Sequence, residues 1–192
     1  MVRHYHPDPV DPAVVERIID AARRGPSAGF TQGIDFVVVT DDAMRGQIAE
    51  VCREPEYIAQ GRQPWVSVAP VHVVPCVSPG SYRRRYAEAD KANSRGPDGW
   101  DVPFWLVDGG AALMLLLLAA TSEGLGAGVL DIADRDGLRD VLGIPTDVEP
   151  LCLVTLGHAA DAQPPSSASR RPRRALSDQL RWQCWTGGPF HT

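Results

Sequence analysis

Ten consecutive residues without a polar side chain, Ala111 to Ala120, lie between Asp108-Gly109-Gly110 and Thr121-Ser122-Glu123. A helix that is apolar all round has to be covered all round. A membrane span needs about 20 such residues. The run therefore reads as the buried core helix of a globular protein, extending from Pro103 to Glu123, with no membrane involved. The rest of the chain has to supply layers that cover it. At 192 residues and 44% apolar, the chain has enough for one domain with a real core.

The flanking pattern supplies those layers. Asp11-Pro12 is a helix start, an N-cap acid followed by proline at the first helical position. Val14, Val15, Ile18, Ile19 and Ala22 follow at helical spacing, and Gly25-Pro26 closes that helix. Ile34 to Thr40 reads as a buried strand. Asp41-Asp42 opens a second helix running to about Glu54, and Val71 to Val77 is a second strand. A short helix is expected within Tyr82 to Ala92, inside a charged segment from Ser78 to Gly99. Ala127 to Ile132 is a strand. Arg135 to Leu142 is a helix closed by Gly143, and Leu151 to Leu156 is the last strand. Asp161 to Pro172 is a linker. It leads to an arginine-rich arm and a tryptophan-containing helix. The pattern fits a single layered α/β or α+β domain over residues 1–192.

Charge and cysteine usage narrow the function. A formal charge of −5 argues against a nucleic-acid partner, which selects for a basic face. Cys52, Cys76, Cys152 and Cys184 are widely spaced, without a metal-ligand pattern. No apolar leader opens the chain, so reduced thiols in a cytoplasmic protein are expected. His4 and His6 have no partner at metal-binding spacing and read as surface residues. His158, after the last strand, reads equally as a turn or a site residue.

Gly124-Leu125-Gly126-Ala127-Gly128 has the composition of a dinucleotide fingerprint but the wrong context. That motif follows a strand and opens a helix. Here the glycines follow a helix and open a strand, as in a helix C-cap and turn. Pro26-Ser27-Ala28-Gly29-Phe30-Thr31-Gln32-Gly33 joins a helix to a buried strand through small and polar residues. Such a loop can bring backbone amides to a flat polar ring, or serve as a plain connection. Arg170, Arg171, Arg173 and Arg174 form either a phosphate clamp or a solvated basic linker. Trp100, Phe104 and Trp105 line a substrate site or are core aromatics.

In this order the pieces resemble the nitroreductase family, in a form common among actinobacterial sequences. Val2-Arg3-His4-Tyr5 with Asp8-Pro9-Val10 is similar to the family's N-terminal phosphate segment. Pro26 to Gly33 followed by Phe36-Val37-Val38-Val39 is similar to its flavin-contacting loop and first strand. Trp65, Ala69-Pro70-Val71, Tyr82 and Arg85-Tyr86 match its middle. Trp105 to Ala111 and Glu123 to Gly126 match its central helix and following turn. Leu142 to Pro145 and Leu156-Gly157-His158 match its last strand, and Arg171, Arg173 and Arg174 its C-terminal clamp.

The resemblance implies an α+β fold with a central mixed sheet flanked by helices. It also implies a homodimer in which the long helix is buried, with FMN bound between the subunits. The activity implied is passage of hydride from NAD(P)H through the flavin to a nitroaromatic, a quinone or a similar acceptor. Flavin supplies the chemistry, so no side chain is expected as general acid or base. Arg3, Arg171, Arg173 and Arg174 are implied for the phosphate. Pro26, Ser27, Ala28, Gly29, Phe30 and Gln32 are implied for the ring and ribityl chain. Leu130 and Asp131 are expected to approach the flavin, and Trp100, Phe104 and Trp105 to line the acceptor side.

Three departures bear on turnover. Family members commonly carry another arginine at or before the position of Met1, so the phosphate site is expected to be one cation short or the start to lie upstream. Phe30 stands where many members have asparagine. Asp131 stands where glycine is common, and an inward carboxylate there repels an anionic reduced ring. These departures leave room for a flavin-storage protein with little turnover. A deazaflavin-using relative and a cofactor-free interaction subunit are the other readings.

Overall fold

The computed structural model describes residues 1–160 and 171–186. Its strands are β1 (Ile34–Val39), β2 (Val71–Val77), β3 (Gly126–Leu130), β4 (Glu149–Pro150) and β5 (Leu153–Gly157). Its helices are α1 (Pro12–Ala22), α2 (Asp42–Val51), α3 (Glu54–Ala59), α4 (Pro79–Tyr86), α5 (Phe104–Ser122) and α6 (Arg135–Leu142). The five strands form one sheet in the order β1-β2-β5-β3, with β4 also paired to β2. Every described pairing is antiparallel, so the sheet is antiparallel rather than mixed. With helices on its faces, the architecture is α+β.

The strand β2 is buried at all seven positions, which explains why its sequence shows no polar alternation. One face meets α1 and α5: Ile18, Ala22, Leu116 and Ala120 pack on Val71, Val73, Val154 and Leu156. The other meets α2 and α6, through Ile48, Ala49 and Leu138 on Val39, Val74, Cys76 and Leu153. Pro75 sits where β2 exchanges its partner β5 for β4. There the missing N–H costs little, and its carbonyl accepts the Leu151 N–H at 2.9 Å. The N-terminal segment lies along the β3 edge, where the Val2 N–H donates to the Ala127 carbonyl at 2.8 Å.

Local signals hold at most helix ends. Asp11, Asp41 and Asp134 cap their helices with side-chain acceptors, and Gly143 closes α6 in the left-handed region. The expected second helix ends at Val51, and beyond Arg53, which adopts φ 60°, a further helix that was not expected begins at Glu54 with Pro55 in its first turn. The expected tryptophan-containing helix is absent from residues 171–186, where the described helical structure is one turn of 3₁₀ at Leu176–Asp178. Arg170 and most of the expected linker fall outside the described residues.

The long helix also differs from expectation. It spans 19 residues with mean hydropathy 1.8, long and apolar enough to cross a membrane by those measures alone. Instead, Asp108, Gly109, Ala112, Leu116 and Ala120 are buried at three- and four-residue spacing against the protein. A side chain at Gly109 would meet Leu151 and Val77 within 3 Å, so glycine permits this close approach. Its other side remains open within one chain: Phe104, Leu106, Val107, Met114 and Leu118 are all exposed.

Candidate functional site

The loop between α1 and β1 is held in an unusual backbone conformation. Gly29, Phe30 and Gln32 all have positive φ, between 53° and 64°. The left-handed region costs non-glycine residues about 1–2 kcal/mol each, so surrounding contacts have to impose it. The Ser27 Oγ accepts the Gln32 N–H at 3.0 Å. The Thr31 hydroxyl donates to the Ala28 carbonyl at 2.6 Å. The Tyr86 ring lies against Gly29, where an added Cβ would come within 2.8 Å of it.

Two charged side chains, one from α5 and one from α4, hold the loop. Asp108, buried on α5, accepts the Ala28 N–H and the Tyr82 hydroxyl, each at 2.8 Å on Oδ2. Burial, then the adjacent Asp108 carboxylate, pushes the Tyr82 hydroxyl well above its ordinary pKa. Tyr82 thus stays a neutral donor. Arg85, on α4, donates through Nε to the Gly29 carbonyl at 2.8 Å. The loop opens on a pocket of about 120 Å³ lined by Pro26, Ser27, Gln32, Ile34, Asp108 and Ala112, among others. The Gln32 amide is exposed beside it, with both donor and acceptor available.

The expected substrate residues come together with α4. Trp100 stacks edge-on with Tyr86 at 5.0 Å, Phe104 at 5.1 Å and Tyr82 at 6.2 Å, and Trp105 lies 6.2 Å from Trp100. Tyr82 is fully buried and Phe104 is exposed, so the cluster runs from the interior to the surface. Trp100 and Trp105 are half-buried and Phe104 is exposed, so all three lie outside the buried core, in an aromatic cluster that Tyr86 joins to Gly29.

The remaining expected residues are dispersed. Arg3 lies over the Trp65 ring at 5.6 Å, and Trp65 in turn packs against β3 at Gly128. Leu130, partly buried, pairs with Leu153 at the end of β3. Asp131 turns to solvent, 85% exposed, and pairs with Arg135 one helical turn ahead at 3.0 Å. Phe30 is 74% exposed and stands clear of the pocket. Arg171, Arg173 and Arg174 are exposed, and among the described residues no hydrogen bond or ion pair ties them to the body of the protein. Arg174 donates to the Asp178 carbonyl within the same arm.

Asp108 is the residue that sequence reasoning passed over. A single carboxylate inside a 19-residue apolar helix was the available signal, since an acid there has to find donors. Tyr82, Arg85 and Trp65 were visible as matches to a pattern but had no role. Among the described residues, no three His, Cys, Asp or Glu side chains gather as a metal site. The glycine-rich turn is a helix terminus, with Gly124 at φ 77°, and it opens β3 rather than a helix.

Comparison with known proteins agrees with this architecture. Residues 1–158 match the model of the nitroreductase family. A Methanothermobacter thermautotrophicus protein named NADH dehydrogenase/NAD(P)H nitroreductase is 32% identical over 164 residues, covering 83% of this chain and 73% of that one. An NADH dehydrogenase of Thermus thermophilus is 28% identical, covering 86% and 85%. Among solved structures, the NADPH:FMN oxidoreductase of Vibrio harveyi complexed with NAD+ superposes with a TM-score of 0.71 at 22% identity. That superposition covers 96% of this chain and 73% of the other. The family model, the 32% identical relative and the shared fold agree, and the chain belongs to the nitroreductase family.

Proposed function

We propose that this protein is an FMN-dependent oxidoreductase, acting as a homodimer, that passes hydride from NAD(P)H to a nitroaromatic, a quinone or a similar acceptor. The observation that carries the reading is the Pro26–Gln32 loop. Asp108 and Arg85 fix it, it opens on a polar-edged pocket, and Tyr86 joins it to the aromatic cluster.

The residues fit a flavin shared between two chains. Sites for ligands of this size occupy roughly 300–1,000 Å³, so a pocket of about 120 Å³ is one wall of such a site. Asp108 and Ala112 place that wall on α5, the helix whose opposite side exposes Leu106, Val107, Met114 and Leu118. In this reading a second copy docked on α5 supplies the rest of the site. In this reading Pro26, Ser27, Ala28, Gly29 and Gln32 hold the ring and ribityl chain, with Phe30 contributing backbone only. Arg3, Arg171, Arg173 and Arg174 hold the phosphate, the arm arginines reaching it in the dimer. Leu130 offers an apolar contact, and Asp131 is left out.

When bound, the flavin supplies hydride acceptance and donation. The protein's part is positional. Asp108 fixes the Ala28 amide, Gln32 presents a donor and an acceptor to a ring edge, and the Trp100–Phe104 wall offers faces for a flat acceptor.

The deciding experiment is an absorption spectrum of the purified protein with FMN, then with NADPH, without oxygen. A bound flavin that bleaches supports the oxidoreductase. A bound flavin that stays oxidised with either nicotinamide supports storage. A violet-blue-absorbing cofactor in place of FMN supports a deazaflavin enzyme, and no binding leaves an interaction subunit.

A further inference from the structure

We propose that Arg85 is a positioning residue for the acceptor, joining the loop that meets the cofactor to the segment that carries the aromatic wall. This rests on the flavin reading above. The guanidinium has three acceptors in two places. Nε donates to the Gly29 carbonyl at 2.8 Å. Nη1 and Nη2 grip the Asp90 carboxylate at 2.7 and 2.8 Å, and Nη1 also reaches Glu88 at 3.0 Å. A planar fork can serve a carbonyl and a carboxylate at once, and an ammonium cannot do so in the same geometry.

Its surroundings separate it from the other arginines of α4. The Arg85 side chain is 21% exposed, whereas Arg83 is 54% exposed and makes one 3.2 Å contact with Asp98. Tyr86, the next residue, packs on the same Gly29 and stacks on Trp100. Consecutive side chains thus hold Gly29 by its carbonyl and by its Cα. Each also leads to the 88–103 segment, Arg85 through Asp90 and Tyr86 through Trp100. That segment holds two short 3₁₀ turns, Ala89–Lys91 and Pro97–Gly99, so its position depends on such side-chain ties.

The consequence is a distinct pattern of effects. Asp90→Asn removes the carboxylate grip and weakens the link to the wall, and leaves the Gly29 bond. It should raise KM for a nitroaromatic or quinone acceptor roughly three- to tenfold, with FMN affinity and kcat little changed. Arg85→Met removes both links and should also weaken FMN binding by about tenfold. Arg85→Lys keeps one bond and should resemble Asp90→Asn rather than Arg85→Met. Arg83→Met, whose single tie to Asp98 is exposed, should move both quantities less than Asp90→Asn does.

The test pairs these measurements with amide hydrogen exchange on protein without added cofactor. Exchange should quicken over residues 88–100 in Asp90→Asn, and over 28–32 as well in Arg85→Met. Unchanged exchange in both variants, or an acceptor KM that Arg83→Met moves as much as Asp90→Asn, overturns the proposal. Failure of the wild type to bind FMN overturns the functional reading, while the exchange result still reports whether Arg85 joins the two segments.

Discussion

The Ala28 N–H donates to the Asp108 carboxylate at 2.8 Å across 80 residues of sequence, tying the pocket loop to the core helix. The same oxygen takes the Tyr82 hydroxyl. One acid therefore fixes three elements: the loop, α4 and α5. A buried carboxylate is costly without donors, and these two offset that cost. The arrangement also means that whatever covers the outer side of α5 presses on the element that holds the loop.

Replacement of Asp108 tests that link. Asp108→Asn keeps the shape but turns a charge-assisted pair of bonds into neutral ones. Asp108→Leu leaves the Ala28 amide and the Tyr82 hydroxyl buried without an acceptor. Loss of a bond to a charged group costs about 1.5–3 kcal/mol, so Leu should lower unfolding free energy by that order and Asn by less. Both should weaken FMN binding. Urea denaturation with FMN titration reads the two effects, and an unchanged FMN affinity in Asp108→Leu would remove the loop from the cofactor site.

Much of the frame was legible because it rests on local rules. Asp11-Pro12, Asp134 and Gly143 mark helix ends by capping alone, and the valine run of β2 marks a strand covered on both faces. Strand direction was not legible locally, since it follows from which strands the chain brings together. The helix beyond Arg53 was missed because a left-handed arginine has no local signature, unlike a glycine. The site was legible only as a list. Pro26 to Gln32 and Trp100 to Trp105 were named, but their common neighbours, Arg85 and Asp108, are joined to them by bonds spanning 56 and 80 residues. The pairing of Asp131 with Arg135 had no signature in the sequence beyond their four-residue spacing.

The exposed face of α5 carries a prediction about assembly. Met114 and Leu118 lie one turn apart and are 55% and 59% exposed. Full burial of such a side chain contributes roughly 1.5–3 kcal/mol, and a two-fold contact counts each residue twice. Met114→Lys with Leu118→Glu should give a monomer by sedimentation while retaining the fold by circular dichroism. On the shared-site reading it should also lose FMN. A wild type that sediments as a monomer yet binds FMN would overturn the shared-site reading.

The arm arginines should be dispensable for folding and needed for FMN. Arg173 and Arg174 are exposed, with no described bond to the body of the protein. Arg173→Ala with Arg174→Ala should leave the thermal midpoint without cofactor unchanged. FMN affinity should fall at least tenfold, in line with the loss of one or more charge-assisted phosphate contacts. Riboflavin, which lacks the phosphate, should bind wild type and variant alike. Equal FMN affinity in both proteins would place the phosphate elsewhere.

Acid stability should be set in part by His72, on the central strand. Its side chain is fully buried, with Nε2 2.7 Å from the Val66 carbonyl and Nδ1 without a partner. Burial foremost, and the positive charge of Arg45, push its pKa down to about 4, against the opposing effect of the Val66 carbonyl. The nearby Glu54 carboxylate also opposes the shift. Native His72 is therefore neutral where the unfolded imidazole, with a pKa of about 6.5, binds a proton. Its contribution is intact above about pH 6.5 and is lost as pH falls toward 4, because the unfolded state gains the proton first. The loss is on the order of 3 kcal/mol across that window. Glutamine at this position can still donate to the Val66 carbonyl but does not titrate. His72→Gln should be less stable than wild type at pH 7, and the gap should narrow as pH falls from 6.5 to 4. Urea midpoints at pH 7, 5.5 and 4.5 give the comparison, and parallel curves for the two proteins would show that His72 does not set the acid limit.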